Sequence, residues 1–252
     1  MINIVIPMAG AGSRFAKAGY TDPKPLIMVH SKPMIKLVIE NLRPRESHRF
    51  IFICQADHVQ RYDLRSKLSA WAPGCEVIEI NGLTEGAACT VLAAKELINN
   101  DDQLMIANSD QYIDHDINHY LSFMHKEALD GLIMTMTAND PKWSFVGLDD
   151  SNNVTKVVEK QVISNEATVG IYNFSRGSDF VAAAESMIKS DDRVNNEFYV
   201  APTYNSLISQ GAKVRPYNIG SEGSGMYGLG IPDDLNLFLH SAVSHIAKED
   251  SL

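Results

Sequence analysis

An arginine and a lysine near the start of the chain have the setting of phosphate-binding groups. The stretch Ile2-Asn3-Ile4-Val5-Ile6-Pro7-Met8-Ala9-Gly10-Ala11-Gly12-Ser13-Arg14-Phe15 is followed, after a short spacer, by Asp22-Pro23-Lys24-Pro25-Leu26. Gly10 and Gly12 allow positive φ and a close approach of backbone to ligand. Successive N–H groups in such a loop form an anion-binding concavity. Arg14 adds a planar fork that matches phosphate oxygens, and Lys24 adds a compact point charge. Pro23 and Pro25 restrict the backbone on both sides of Lys24, so its charge is held in place. A tight turn with solvated Arg and Lys would explain either half alone; the two halves together favour anion binding.

Two familiar phosphate loops do not fit. A dinucleotide fingerprint needs Gly-x-Gly-x-x-Gly opening a helix, but Phe15 stands at the third glycine, and Gly19, Pro23 and Pro25 make a poor helix. The Gly-x-x-x-x-Gly-Lys-Ser/Thr loop is absent as well. What remains is a strand, Gly-x-Gly-Ser-Arg-Phe, a spacer and Pro-Lys-Pro-Leu. This combination resembles the signature of the sugar-phosphate nucleotidyltransferases, the nucleoside-diphosphate-sugar pyrophosphorylases. The resemblance implies that Ala9, Gly10, Ala11, Gly12, Ser13 and Arg14 bind the triphosphate, with Arg14 and Lys24 as the catalytic charges.

Asp110 closes the apolar run Leu104-Met105-Ile106-Ala107. A carboxylate at the end of a buried strand can hold Mg²⁺, which is usually bound by one or two carboxylates together with phosphates and waters. It can also cap an Asx-turn. In the family resembled here an Asp at this point coordinates the metal, and Asn108-Ser109-Asp110 occupies the matching position.

The loop Asn81-Gly82-Leu83-Thr84-Glu85-Gly86-Ala87-Ala88 enters a helix and leaves room for a flat ring. The family reads its nucleobase with a loop of this kind, which implies base contacts from Thr84, Gly86 and Ala87. Ala87 stands where the family often has Thr, so base identity stays open and a cytidine nucleotide is a candidate. The resemblance also implies acceptor binding by Glu159, Lys160, Gly170 and Glu197: the Glu accepts from acceptor hydroxyls and the Lys grips the attacking phosphate. Tyr227-Gly228-Leu229-Gly230-Ile231-Pro232-Asp233-Asp234 resembles a segment whose second metal-binding Asp falls at Gly228. Asp233 and Asp234 suit a helix start instead, leaving Glu222 as the alternative carboxylate.

These residues need a scaffold. Apolar runs at 2–6, 50–54, 76–80 and 104–107 read as strands. Between them, 33–42, 57–68 and 87–98 read as helices, with Asp57 as an N-cap. Such alternation predicts a parallel sheet with right-handed crossovers. Ligands then bind beyond the strand carboxyl ends, where the loops after the first, third and fourth strands converge. In the second half, 131–137, 145–148, 154–160, 168–174, 214–218 and 226–229 read as strands. Segments 180–188 and most of 197–209 read as helices. Pro232 opens a last helix with Leu235, Phe238, Leu239, Val243 and Ile246 on one side. The fold class is α/β: a single Rossmann-like, mixed and mainly parallel sheet flanked by helices, of the nucleotide-diphospho-sugar transferase type by resemblance. Residues 1–252 form one domain, about 1–125 serving the nucleotide and about 126–252 the acceptor.

Composition sets limits. The chain has 252 residues, 45% hydrophobic and 21% charged, enough for one large core. A net charge of −9 argues against a general nucleic-acid or membrane-surface binder. Cys54, Cys75 and Cys89 show no disulfide or zinc spacing. No signal-like start or membrane span is evident, so a cytoplasmic location is expected. The resemblance implies nucleotidyl transfer from a nucleoside triphosphate to a phosphorylated sugar or other small phosphate, with Mg²⁺ as cofactor. A glycosyltransferase on a related fold and a catalytically inactive nucleotide-binding relative are the alternatives.

Overall fold

The computed structural model describes residues 1–249; the last residues of the expected domain, 250–252, lie outside the described residues. In chain order the elements are β1 (Ile2–Pro7), α1 (Ser13–Lys17), β2 (Met28–Val29), β3 (Lys32–Pro33), α2 (Met34–Leu42), β4 (His48–Gln55), α3 (Ala56–Tyr62), α4 (Leu64–Trp71) and β5 (Glu76–Ile80). There follow α5 (Ala87–Leu92), α6 (Lys95–Ile98), β6 (Gln103–Ala107), β7 (Gln111–Ile113), α7 (Ile117–Lys126), β8 (Gly131–Thr137), β9 (Ser144–Leu148), β10 (Val154–Glu159) and β11 (Glu166–Phe174). The chain continues through α8 (Gly177–Lys189), α9 (Tyr204–Ser209), β12 (Val214–Glu222), β13 (Gly225–Gly228), α10 (Pro232–Leu239) and α11 (Ala242–Glu249).

An 11-stranded mixed sheet runs β5-β4-β1-β6-β11-β8-β12-β13-β7, with β9 and β10 attached beside β11. β1 is central to the first half and pairs parallel with β4 and β6. Alternate residues of a strand point to opposite faces, and both faces of β1 are covered. Ile2, Ile4 and Ile6 pack with Phe50, Phe52 and Met105 on one side, while Val5 packs with Ile51, Leu104 and Ile106 on the other. This two-sided burial explains the unbroken apolar runs. The second half joins through β11, antiparallel to β6 and β8. A smaller core of Phe15, Met34, Leu37, Leu229, Leu235 and Phe238 fixes α1 and α10 to the body.

The helices are more broken than their periodicity predicts. Gln55, not Asp57, precedes the first turn of α3. Asp63, left-handed at φ 49, then separates α3 from α4, and its carboxylate accepts from Ser66 Oγ. The expected helix over 87–98 is interrupted where Ala93 and Ala94 bond back three residues to Thr90 and Val91. The last expected helix is cut at Ser241, whose hydroxyl donates to Phe238 O and accepts from Ser244 N. The break leaves Ile246 58% exposed instead of on the buried side. α1, β7 and α7 have no counterpart among the expected elements: a five-residue helix, Ser13–Lys17, does follow the glycines before Gly19 and the prolines, and β12 extends past Asn218 to Glu222.

Candidate active site

Two adjoining cavities open at the carboxyl ends of the first-half strands. The larger, about 420 Å³, is lined by Ala9, Gly10 and Ala11 from the loop after β1, by Lys24, by Thr84, Gly86, Ala87 and Thr90, by Ser109 and Asp110, and by Glu197. The loops after β1, β5 and β6 thus meet at one place. The second, about 290 Å³, is lined by Lys142, Trp143, Ser144, Glu159, Lys160, Gly170, Tyr172 and Tyr199. Pro7, Ala87 and Asn108 belong to both walls, so the cavities are neighbours.

Lys24 Nζ donates to Asp110 Oδ2 at 2.7 Å. Gly12 has φ 59 and precedes α1; a β-carbon there would lie 3.5 Å from Lys24 Cβ. The loop therefore packs directly on the lysine stem. Gly12, Ser13 and Arg14 are not in the cavity wall, and Ser13 and Arg14 open the short α1. Among the described residues, no group of three or more His, Cys, Asp and Glu is placed to hold a metal ion. Asp110 is a single hard oxygen donor beside an anion-binding loop, which suits Mg²⁺ completed by phosphates and waters.

The base loop is held by several polar contacts. Thr84 Oγ1 lies 2.5 Å from Thr90 Oγ1, and both hydroxyls donate to Gly86 O. Gln55 Nε2, at the end of β4, donates to Ala9 O at 2.7 Å and Gly82 O at 2.8 Å. It ties the loop after β1 to the loop after β5. Sequence reasoning missed Gln55, although its place at a strand end was a usable signal.

In the second cavity Glu159 is 8% exposed and accepts from Ser144 Oγ. Burial pushes its carboxyl above the usual range, aided by the Glu197 charge and opposed by Ser144 and Lys160. Lys160 has φ 54, and its ammonium donates to Tyr199 OH at 2.6 Å and lies 4.8 Å from the ring centroid. That hydrogen bond, first among its neighbours' effects, raises the lysine pKa. Gly170, at φ 80, leaves room for Asn108: a β-carbon there would come 2.0 Å from Asn108 Nδ2. Glu197 lines the larger cavity, not this one. Lys142, Trp143 and Ser144 were not foreseen, because their positions depend on how distant loops meet.

The turn after β13 covers Asp110 from outside. Leu229 N donates to Asp110 O, and a β-carbon on Gly230 would approach Asp110 Oδ2 to 2.7 Å. A β-carbon on Gly228 would lie 3.1 Å from Asp234 Oδ2. The place of the missing side chain at 228 is thus faced by the Asp234 carboxylate. Glu222 is engaged by Lys142 Nζ at 2.9 and 3.2 Å.

The strand ends of an open α/β sheet thus carry a glycine loop, a lysine–aspartate pair and two adjoining cavities. A model of the nucleotidyl transferase family matches residues 4–210, and the chain belongs to that family. It is 25% identical over 179 residues to the bifunctional protein GlmU of Methanocaldococcus jannaschii, covering 69% of this chain and 40% of the relative. It is 24% identical over 215 residues to a low-salt glycan biosynthesis nucleotidyltransferase of Haloferax volcanii, covering 82% of this chain and 57% of the relative. The chain therefore spans about half the length of the curated relatives it matches. Among solved structures, a nucleoside-diphosphate-sugar pyrophosphorylase of Vibrio cholerae RC9 superposes with a TM-score of 0.78 at 26% identity. That likeness covers 94% of this chain and all of that one. No helix among the described residues is long and apolar enough to cross a membrane.

Proposed function

We propose that this chain transfers a nucleotidyl group from a nucleoside triphosphate to a phosphorylated sugar or a related small phosphate. The products are a nucleotide-activated compound and pyrophosphate. One observation carries the reading: a cavity holding the Lys24–Asp110 pair shares a wall with a cavity holding Lys160. A triphosphate in the first and a phosphomonoester in the second would bring an acceptor oxygen toward the α-phosphorus.

In the reaction a phosphate oxygen of the acceptor forms a bond to the α-phosphorus, and the α–β phosphoanhydride bond breaks. The electron pair leaves with pyrophosphate. No nucleophilic side chain is needed, because the acceptor phosphate is already ionised. The barrier includes bringing two anions together, so catalysis is positioning and charge neutralisation. The amides of residues 9–11, which lie in the cavity wall, hold the leaving phosphates. Lys24 stabilises charge growing at the α-phosphate. Lys160 orients the attacking phosphate, and Glu159 accepts hydrogen bonds from the rest of the acceptor. Asp110 would hold Mg²⁺, which supplies further neutralisation of the phosphate charge when bound. Thr84, Gly86 and Ala87 border the space for the base. Glu197 contributes from the rim of the nucleotide cavity.

The test is a pyrophosphate-release screen of ATP, GTP, CTP, UTP and dTTP against sugar 1-phosphates and other small phosphomonoesters, with Mg²⁺. CTP belongs in the screen because Ala87 alters the base loop. Pyrophosphate release that needs both substrates is the expected result. Release of free nucleoside diphosphate from a nucleotide sugar would indicate glycosyl transfer, and binding without turnover would indicate an inactive relative.

A further inference from the structure

We infer that the segment Arg193–Tyr199 is a coupling strap that fixes the base loop and the acceptor lysine together, with Arg193 and Tyr199 as its positioning residues. The inference rests on the two-cavity reading above. The strap begins as a tight hairpin: Val194 and Glu197 exchange both backbone hydrogen bonds, at 3.1 and 3.0 Å, around Asn195 and Asn196. Both asparagines are left-handed, at φ 50 and 62, as a two-residue hairpin of this hand demands. Asparagine tolerates that conformation better than most residues.

At one end the strap grips the base loop. Phe198 N donates to Glu85 O at 2.8 Å, and Ala88 N donates to Phe198 O at 3.0 Å, one bond on each side of Gly86. Gly86, at φ 127, has no room for a side chain, since a β-carbon would meet Phe198 N and O at 2.5 Å. Arg193 closes the grip, with Nη2 3.2 Å from Glu85 Oε2 and its guanidinium 4.4 Å from the centroid of the buried Phe198 ring. At the other end the next residue, Tyr199, takes the Lys160 ammonium on its hydroxyl and under its ring. Glu197 lines the nucleotide cavity and Tyr199 the acceptor cavity, one residue on either side of Phe198. A rigid piece of backbone so anchored cannot shift at one cavity without shifting at the other.

Arg193 is well suited to the test because it lines neither cavity and its side chain is 32% exposed. Arg193→Ala, Arg193→Lys and Tyr199→Phe are compared with the wild type, using the nucleotide and acceptor pair that releases pyrophosphate fastest in the screen. Thermal midpoints are recorded for each. Arg193→Ala is expected to raise both KM values about fivefold or more, the ordinary size of coupling between sites, with kcat less affected. Arg193→Lys keeps the charge without the flat stack and falls between. Tyr199→Phe is expected to raise both KM values too, the acceptor's more. Any other pattern for Arg193→Ala overturns the proposal: a rise in the nucleotide KM alone, or a lower thermal midpoint and kcat with both KM values intact. A wild type that releases no pyrophosphate with any pair fails the underlying reading, and the proposal with it.

Discussion

Lys24 Nζ and Asp110 Oδ2, 86 residues apart in sequence, stand 2.7 Å from each other in the wall of the larger cavity. The pair joins the proline-flanked turn after the phosphate loop to the end of β6. Both side chains are about a quarter exposed. A pair so largely buried is weak evidence for stability, because desolvation offsets its Coulomb attraction. Its value is therefore in holding two opposite charges where a polyanion and its counter-ion would sit.

Lys24→Ala is expected to lower kcat by about 10²–10³, the usual cost of losing one electrostatic donor to a transition state. The fold should survive, with a lowered thermal midpoint because the partly buried Asp110 charge loses its partner. Steady-state kinetics and circular dichroism on the same preparation check both halves. Near-normal turnover in a folded variant would remove Lys24 from the chemistry.

Gln55→Leu leaves Ala9 O and Gly82 O without their donor. With about 0.5–1.5 kcal/mol per hydrogen bond, the nucleotide KM should rise about tenfold while kcat stays within a few-fold. An unchanged KM would mean that the two loops hold their places without this bridge.

Gly170→Ala should destabilise the fold, by about 1–3 kcal/mol from the left-handed backbone alone. The collision with Asn108 Nδ2 adds to this unless Asn108 moves. Asn108 lies in both cavity walls, so nucleotide and acceptor KM values should both rise in whatever fraction folds. Urea unfolding and kinetics measure the two effects separately.

Glu159→Gln is expected to stabilise the protein at neutral pH while weakening acceptor binding. Burial raises the folded-state pKa of Glu159 above its ordinary 4.5. Between the unfolded and folded pKa values the folded state binds more protons, so this group's contribution falls as pH rises through that window. Above the window the buried charge is a standing cost that Gln removes, and Gln can still accept from Ser144. Below both pKa values the carboxyl is protonated in each state, and the gap between variant and wild type should close. Denaturant unfolding at neutral and acid pH is the check; a variant less stable at neutral pH would contradict the sign.

Strand β1 and the glycine loop that leaves it were legible in the sequence because their determinants are local: a buried apolar run and two small flexible residues. Strands β4, β5 and β6 were legible for the same reason, as short β-branched and aromatic runs. The helix breaks were not. Apolar spacing continues across Asp63 and Ser241, and only a left-handed residue or a serine cap shows where the chain turns. α7 was missed because its polar His, Asn, Ser and Lys residues dilute the apolar stripe of Ile117, Tyr120, Leu121 and Met124. In the site, Gln55, Trp143 and Ser144 acquire meaning only when separate strand ends meet. That Asp234 faces Gly228 was not legible, because the two lie on different elements, β13 and α10.

The central claim is that the bond broken is the one between the α- and β-phosphates. Phosphorus-31 NMR of the wild-type reaction, with the pair found in the screen, observes that bond directly. The β- and γ-phosphorus signals are predicted to disappear together into pyrophosphate, while the α-phosphorus reappears in a new pyrophosphate linkage to the acceptor's phosphorus. Appearance of inorganic phosphate with nucleoside diphosphate, or an unaltered triphosphate in the presence of every acceptor, would contradict the account.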